Sequence, residues 1–296
     1  MRFRNNKRRY LKYVFTAFFI GVLVLMNSCL TMRTSTKSIV KDFEKKGMTP
    51  VIKTIAFEGN TLRYLISDVF DEEKPTIIFV HGAPGSLSDF NSYLQDPALR
   101  EMANLIAIDR LGYGFSNFGK AEVLISKQTE SIEKLTDLFD KKRTILVGWS
   151  FGGPIVGEMG IRNKYYHTIM VAPAVSPDAE KHFWLGNFAY WKLTKWVVPK
   201  AFVVAEAEKR RHAEELQRLD SLWQQTKTPI TYYHGTDDWI VPFENQAYLK
   251  SKMPKNMLET VTIEDGSHFI LFKNFTMMQE KLLSLIALIP TEKNEL

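Results

Sequence analysis

Hydrophobic positions along this chain keep two rhythms, and the change between them lays out the elements. The short apolar runs at 76–80, 105–108, 144–147 and 168–171 are continuous, as in strands buried on both faces of a sheet. Ahead of them, 51–57 and 61–69 alternate and flank Gly59-Asn60, which predicts two antiparallel strands joined by a hairpin-like turn. Residues 127–139 set Ile132, Leu135, Leu138 and Phe139 at helical spacing with Glu130 and Lys134 four apart, predicting a helix. Further helices are expected over 154–162 and 275–289, and a helical or irregular crossover over 86–99. The strand pattern resumes at 229–233 and 258–263. Strands alternating with helices predict an α/β fold, a mostly parallel sheet with helices on both faces.

The alternation stops between Ala174 and Thr228, where the chain reads mostly as helix. Residues 203–223 place Leu216, Leu219, Leu222 and Trp223 on one stripe, with the Glu206-Arg210 and Glu214-Arg218 pairs on the other side. Residues 183–196 are rich in aromatics, Phe183, Trp184, Phe188, Tyr190, Trp191 and Trp196, which are expected to glue the segment to the core. A helical insertion after one strand reads as a lid. The expected organisation is an export signal at 1–28, a tether at 29–49, a core at 50–173 and 229–296, and a lid at 174–228.

Charge changes the picture at the amino terminus. The chain of 296 residues carries a formal net charge of +6. Arg2, Arg4, Lys7, Arg8, Arg9 and Lys12 supply all of it, and without them 33 basic residues balance 33 acidic ones. A neutral body removes the main argument for nucleic-acid binding. The six cations precede the apolar run 14–26, which has the form of an export signal and is short for a membrane span of about 20 residues. Cys29, the only cysteine, follows after Asn27 and Ser28, so the body forms no internal disulfide. Leu25-Met26-Asn27-Ser28-Cys29 resembles a bacterial lipoprotein signal, although Met26 and Asn27 depart from the usual residues. That resemblance implies a lipidated Cys29 tethering the protein to a membrane in the bacterial cell envelope, outside the cytoplasm.

The chemistry gathers around Gly148-Trp149-Ser150-Phe151-Gly152-Gly153, between an expected strand and an expected helix. A serine presented on so tight a turn needs small residues two positions either side, and Gly148 and Gly152 supply them. Its hydroxyl needs a base and a group that holds the base. Of six histidines, His81 and His234 precede glycines at strand ends, where turn packing is the expected role, and His167, His182 and His212 fall in helical or insertion contexts. His268 lies beyond the carboxyl end of the last expected strand, where active sites of open α/β sheets gather. For the acid, Asp237 and Asp238 follow the preceding strand and Asp178 an earlier one, and spacing alone leaves all three open.

His81-Gly82, Asp109-Arg110-x-Gly112-x-Gly114-x-Ser116, Gly148-x-Ser150-x-Gly152, Gly235-x-x-Asp238-x-Ile240-Val241-Pro242 and Gly266-Ser267-His268 together resemble a lid-bearing α/β-hydrolase from about residue 50 onward. The resemblance implies a Ser150, Asp238, His268 triad, with Asp238 preferred because the family's acid lies three after the glycine. It also implies an oxyanion hole from the N–H groups of Phe151 and Ala83, no cofactor and no metal. Asp109-Arg110 is expected to brace neighbouring loops through a buried ion pair. The expected reaction is hydrolysis of a carboxylic ester or similar acyl bond in a small molecule; thioesterases, lactonases, carbon–carbon bond hydrolases and perhydrolase-type enzymes share the nucleophile. His81-Gly82-Ala83-Pro84-Gly85 is also close to the loop of proline iminopeptidases, departing at Ala83, and Glu206 or Glu208 would then bind a substrate amine. A non-catalytic, membrane-tethered binding protein is the alternative of another class.

Overall fold

The computed structural model describes residues 10–18, 21 and 30–290. Cys29 and most of the expected export signal lie outside them. Among the described residues no helix is long and apolar enough to cross a membrane. The strands are β1 (Val51–Phe57), β2 (Asn60–Ile66), β3 (Thr76–Val80), β4 (Asn104–Asp109), β5 (Thr144–Trp149), β6 (His167–Val171), β7 (Ile230–Gly235) and β8 (Leu258–Ile263). They form one sheet in the order β1-β2-β4-β3-β5-β6-β7-β8. The β1–β2 and β2–β4 pairs are antiparallel, and the rest are parallel.

Continuous apolar strands fit a sheet covered on both faces, because successive side chains point to opposite sides. Ile77 and Phe79 of β3 enter one core and Ile78 and Val80 the other. The first core is closed by α1 (Thr36–Glu44), α2 (Asn91–Leu94), α3 (Pro97–Met102), α9 (Ile270–Lys273) and α10 (Phe275–Ala287). The second is closed by α4 (Ile125–Thr136), α5 (Gly152–Arg162), α7 (Lys200–Leu219) and α8 (Glu244–Lys252), with the short α6 (Gly186–Tyr190) packed on α7.

Three expectations are corrected. Residues 36–44 are not tether: Ser35 caps α1 by accepting from the Ser38 N–H, and Ile39 and Phe43, four apart, pack into the first core. The hairpin pairs Phe57 with Asn60, so its two-residue turn is Glu58-Gly59, one position earlier than expected, with both φ angles positive as a tight hairpin turn needs. Residues 183–196 are helical over Gly186–Tyr190 alone, and their aromatics face outward; Ala189 is the buried residue of that helix.

The topology also creates a switch point. From β3 the chain crosses to β4 on one side and then returns to β5 on the other, so the carboxyl ends of β3 and β5 sit side by side where connections leave in opposite directions. Open α/β sheets bind ligands at such a switch point.

Candidate active site

Ser150 stands at this switch point, between β5 and α5, with φ at 55°, in the left-handed region that non-glycine residues seldom occupy. Neighbouring hydrogen bonds hold it there: its N–H donates to Val171 O at 2.9 Å, and its carbonyl accepts from the Gly153 N–H at 2.9 Å. The flanking glycines are required by contact. A Cβ on Gly148 would lie 2.4 Å from Gly152 O, and one on Gly152 would lie 2.2 Å from Val80 O. The turn is therefore pressed against the end of β3, and Gly82 in the following loop lies over Ser150.

Two peptide N–H groups follow Ser150 and Gly82 directly in the chain. Those of Phe151 and Ala83 have no hydrogen-bond partner among the described residues, although Phe151 is buried and Ala83 partly so. Unpaired N–H groups in such surroundings are rare in folded proteins. The Ser150 hydroxyl likewise has no partner among the described residues. Catalytic hydrogen bonds are often long in unliganded enzymes and tighten around substrate.

His268 and Asp238 arrive from the ends of β8 and β7. Thr236 N–H donates to Ile263 O at 3.0 Å and Asp237 N–H to Gly266 O at 2.9 Å, which locks the two loops together. His268 Nδ1 then donates to Asp238 Oδ2 at 2.7 Å, leaving Nε2 as the ring's open position. Trp149, beside Ser150 in the chain, donates through its indole N–H to His268 O at 3.1 Å and packs its ring 5.4 Å from the imidazole. Asp237 and Asp178 are exposed, and Asp238 alone of the three candidates touches His268.

Asp238 is buried, which by itself would raise its pKa. Hydrogen bonds from His234 and His268, the His268 charge and the Val241 N–H outweigh burial and hold the carboxyl well below the usual range. Its Oδ1 accepts from Ile240 N–H at 2.9 Å and Val241 N–H at 2.8 Å. His234, expected only to pack in a turn, lies 3.3 Å from Asp238 Oδ2 through Nε2, which also meets Val241 O at 3.0 Å. Its other nitrogen pairs with the Tyr232 hydroxyl at 2.7 Å. A histidine at a strand end carries no periodic signal, so nothing in the sequence singled it out.

The Ala83 loop is held by a buried network. His81 is fully buried; burial, and then the Arg110 charge, push its pKa well below the ordinary value, so it is neutral. Its Nδ1–H donates to Gly82 O at 2.7 Å, and its Nε2 accepts from the Arg110 N–H at 3.0 Å. The Arg110 guanidinium donates to His81 O and Gly82 O, both at 2.9 Å, and to the Glu208 carboxylate at 2.7 and 3.2 Å. Tyr113 and Gln128 donate to the same carboxylate at 2.5 and 3.2 Å. Asp109 pairs instead with Arg63 at 3.3 Å, so the expected single brace is two separate ion pairs. Glu208 lies on α7, within the 174–228 insertion, and ties that insertion to the loop bearing Ala83.

In this geometry both expected amine-binding acids are already paired within the protein. Glu208 is consumed inside the network, and Glu206 pairs with Arg210 at 2.7 Å. Replacing Glu208 by alanine would strand a fully buried guanidinium, and a loss of about 3–5 kcal/mol is expected in denaturant unfolding. A loss under about 1 kcal/mol, within the range of exposed pairs, would contradict this assignment.

Comparison with known proteins agrees with the fold. The family model for the alpha/beta hydrolase fold matches residues 75–192. A search of the curated proteins found no match. Among solved structures, the chain is similar to a bacterial membrane phospholipase A, with 16% identity and a TM-score of 0.64, over 95% of this chain and 99% of that one. It is similar also to the 2-hydroxy-6-oxo-6-phenylhexa-2,4-dienoate hydrolase of Rhodococcus sp. strain RHA1, with 17% identity and a TM-score of 0.65, over 81% of this chain and 99% of that one. The hydrolase MGS-M2, from a Medee basin deep-sea metagenome library, gives 13% identity and a TM-score of 0.63 over 81% and 99%. The chain has the α/β-hydrolase fold.

Proposed function

We propose that the protein is a serine hydrolase that cleaves a carboxylic ester or similar acyl bond in a small-molecule substrate. The observation that carries the reading is the buried His268–Asp238 pair at 2.7 Å, joined through the Trp149 indole to the turn that holds Ser150 at a strained φ. In this reading His268 Nε2 takes the Ser150 hydroxyl proton as Oγ attacks the acyl carbonyl. Asp238 holds the imidazole in the tautomer with the proton on Nδ1 and stabilises the imidazolium that forms. The Phe151 and Ala83 N–H groups receive the oxyanion of the tetrahedral intermediate. The intermediate collapses as His268 returns the proton to the leaving alkoxide, giving an acyl-enzyme and free alcohol. Water, deprotonated by His268, then attacks the acyl carbon, and Ser150 leaves with its proton restored.

The ester reading is favoured over the aminopeptidase because both acids offered for a substrate amine are already paired within the protein. The fold likeness to a membrane phospholipase A, over nearly the whole chain, accords with it. We assign residues 174–228 as the lid, and we place the protein in the bacterial cell envelope, outside the cytoplasm, held to a membrane by lipid on Cys29.

On a p-nitrophenyl ester, Asp238→Asn is expected to lower kcat by about 10⁴-fold with little change in KM, because the wrong imidazole tautomer faces Ser150. Asp237→Asn and Asp178→Asn should leave turnover near that of the parent; loss in either, with Asp238→Asn active, would overturn the assignment of the acid. For the tether, radioactive palmitate fed to cells should appear in the protein and be missing from Cys29→Ser. Label retained in that variant would refute lipidation at Cys29.

A further inference from the structure

The outer face of the insertion displays large rings that are exposed among the described residues. Trp184, Trp196 and Leu193 are 70%, 71% and 87% exposed, and Tyr190 and Trp191 are more than half exposed. An exposed apolar patch of this kind marks an interaction surface. The backbone beneath it is well tied. The Thr194 hydroxyl donates to Phe188 O at 2.7 Å, and the Trp196 indole donates to Leu193 O at 2.8 Å. Arg210 of α7 donates to the Asn187 side chain at 2.9 Å, and its guanidinium lies 3.8 Å from the Tyr190 ring centre. The rings are thus held outward by a folded segment.

Charge identifies the occupant. Between Glu180 and Glu206 there is no acidic residue, while Lys181, Lys192, Lys195 and Lys200 fall in that interval. The nearest acids on α7 are answered locally, Glu206 by Arg210 and Glu214 by Arg211. Protein interfaces are depleted in lysine, whereas tryptophan and tyrosine interleaved with lysine suit the headgroup region of a bilayer, the more so where the lipids are anionic. The surface also runs to the candidate active site. Phe183 packs edge-on against Trp239 with ring centres 5.8 Å apart, and Lys181 Nζ donates to Trp239 O at 3.1 Å. Trp239, itself exposed, follows Asp238, and the part-exposed Phe269 follows His268 with its ring 5.7 Å from the imidazole.

We propose that this aromatic, lysine-bearing face docks onto a lipid bilayer with anionic headgroups, turning the loops that carry Asp238 and His268 toward the lipid. Docking needs no serine chemistry; its consequence, that acyl substrate reaches Ser150 from the bilayer surface, rests on the hydrolase reading.

The test uses the full chain reconstituted in phosphatidylcholine vesicles with and without phosphatidylglycerol, the acyl chains brominated to quench nearby indoles. Tryptophan emission should be quenched, and the quenching should fall by roughly twofold or more when phosphatidylglycerol is omitted or when Lys192→Glu and Lys195→Glu are combined. It should be largely lost in the combined Trp184→Ser, Trp191→Ser, Trp196→Ser variant, with hydrolysis of a water-soluble ester unchanged. Emission indifferent to bromine would overturn the proposal. So would shielding of these indoles that depends on protein concentration rather than on lipid, the result expected of a second copy. Quenching as described in a protein that hydrolyses no ester would leave docking intact and count against the hydrolase reading alone.

Discussion

The structure around the site depends on one close contact, the turn after β5 pressed onto the end of β3. With Gly152 against the Val80 carbonyl and Gly148 against Gly152, strand and helix meet more closely than any side chain allows. That contact sets Ser150 at a positive φ and lays the Ala83 loop beside it. A hydroxyl held in a strained turn is displayed rather than buried in hydrogen bonds, and the price of the strain is borne by packing on both sides of the sheet.

Around this contact the fold uses buried charge in two different ways. Asp238 is a carboxylate kept ionised by several donors, which suits the role proposed for it, steadying a cationic imidazole. Arg110 and Glu208 form the opposite case, a pair with no exposure whose value lies in position. Arg110 grips two carbonyls of the loop bearing Ala83, and Glu208 fastens that grip to the insertion. Apolar residues of similar volume would fill the space but would not hold those carbonyls. The insertion and the loop beside Ser150 are thereby one mechanical unit.

Much of this was legible in the sequence because it follows from local rules. Continuous apolar runs gave the buried strands, and Gly-x-Ser-x-Gly after such a run gave the turn. The order of Ser150, Asp238 and His268 matched a resemblance that the geometry of the His268–Asp238 pair now accompanies. What escaped was decided by tertiary contacts. Helix α1 has only Ile39 and Phe43 to bury, too few to stand out in a basic segment. The partner of Arg110 lies 98 residues away on a helix whose own pattern gives no reason to bury Glu208. The aromatics of 183–196 are expected in a core by the usual rule and break it by facing outward, and that departure motivates the proposed lipid surface.

The central claim is that Ser150 carries the acyl group between two half-reactions. Rapid acid quenching of the protein during turnover of a p-nitrophenyl ester, followed by peptide mass spectrometry, tests it directly. The account predicts one acyl mass increment on the peptide containing Ser150, accumulating with a burst of p-nitrophenol and absent from Ser150→Ala. An increment on another residue, or full turnover by Ser150→Ala, would contradict it.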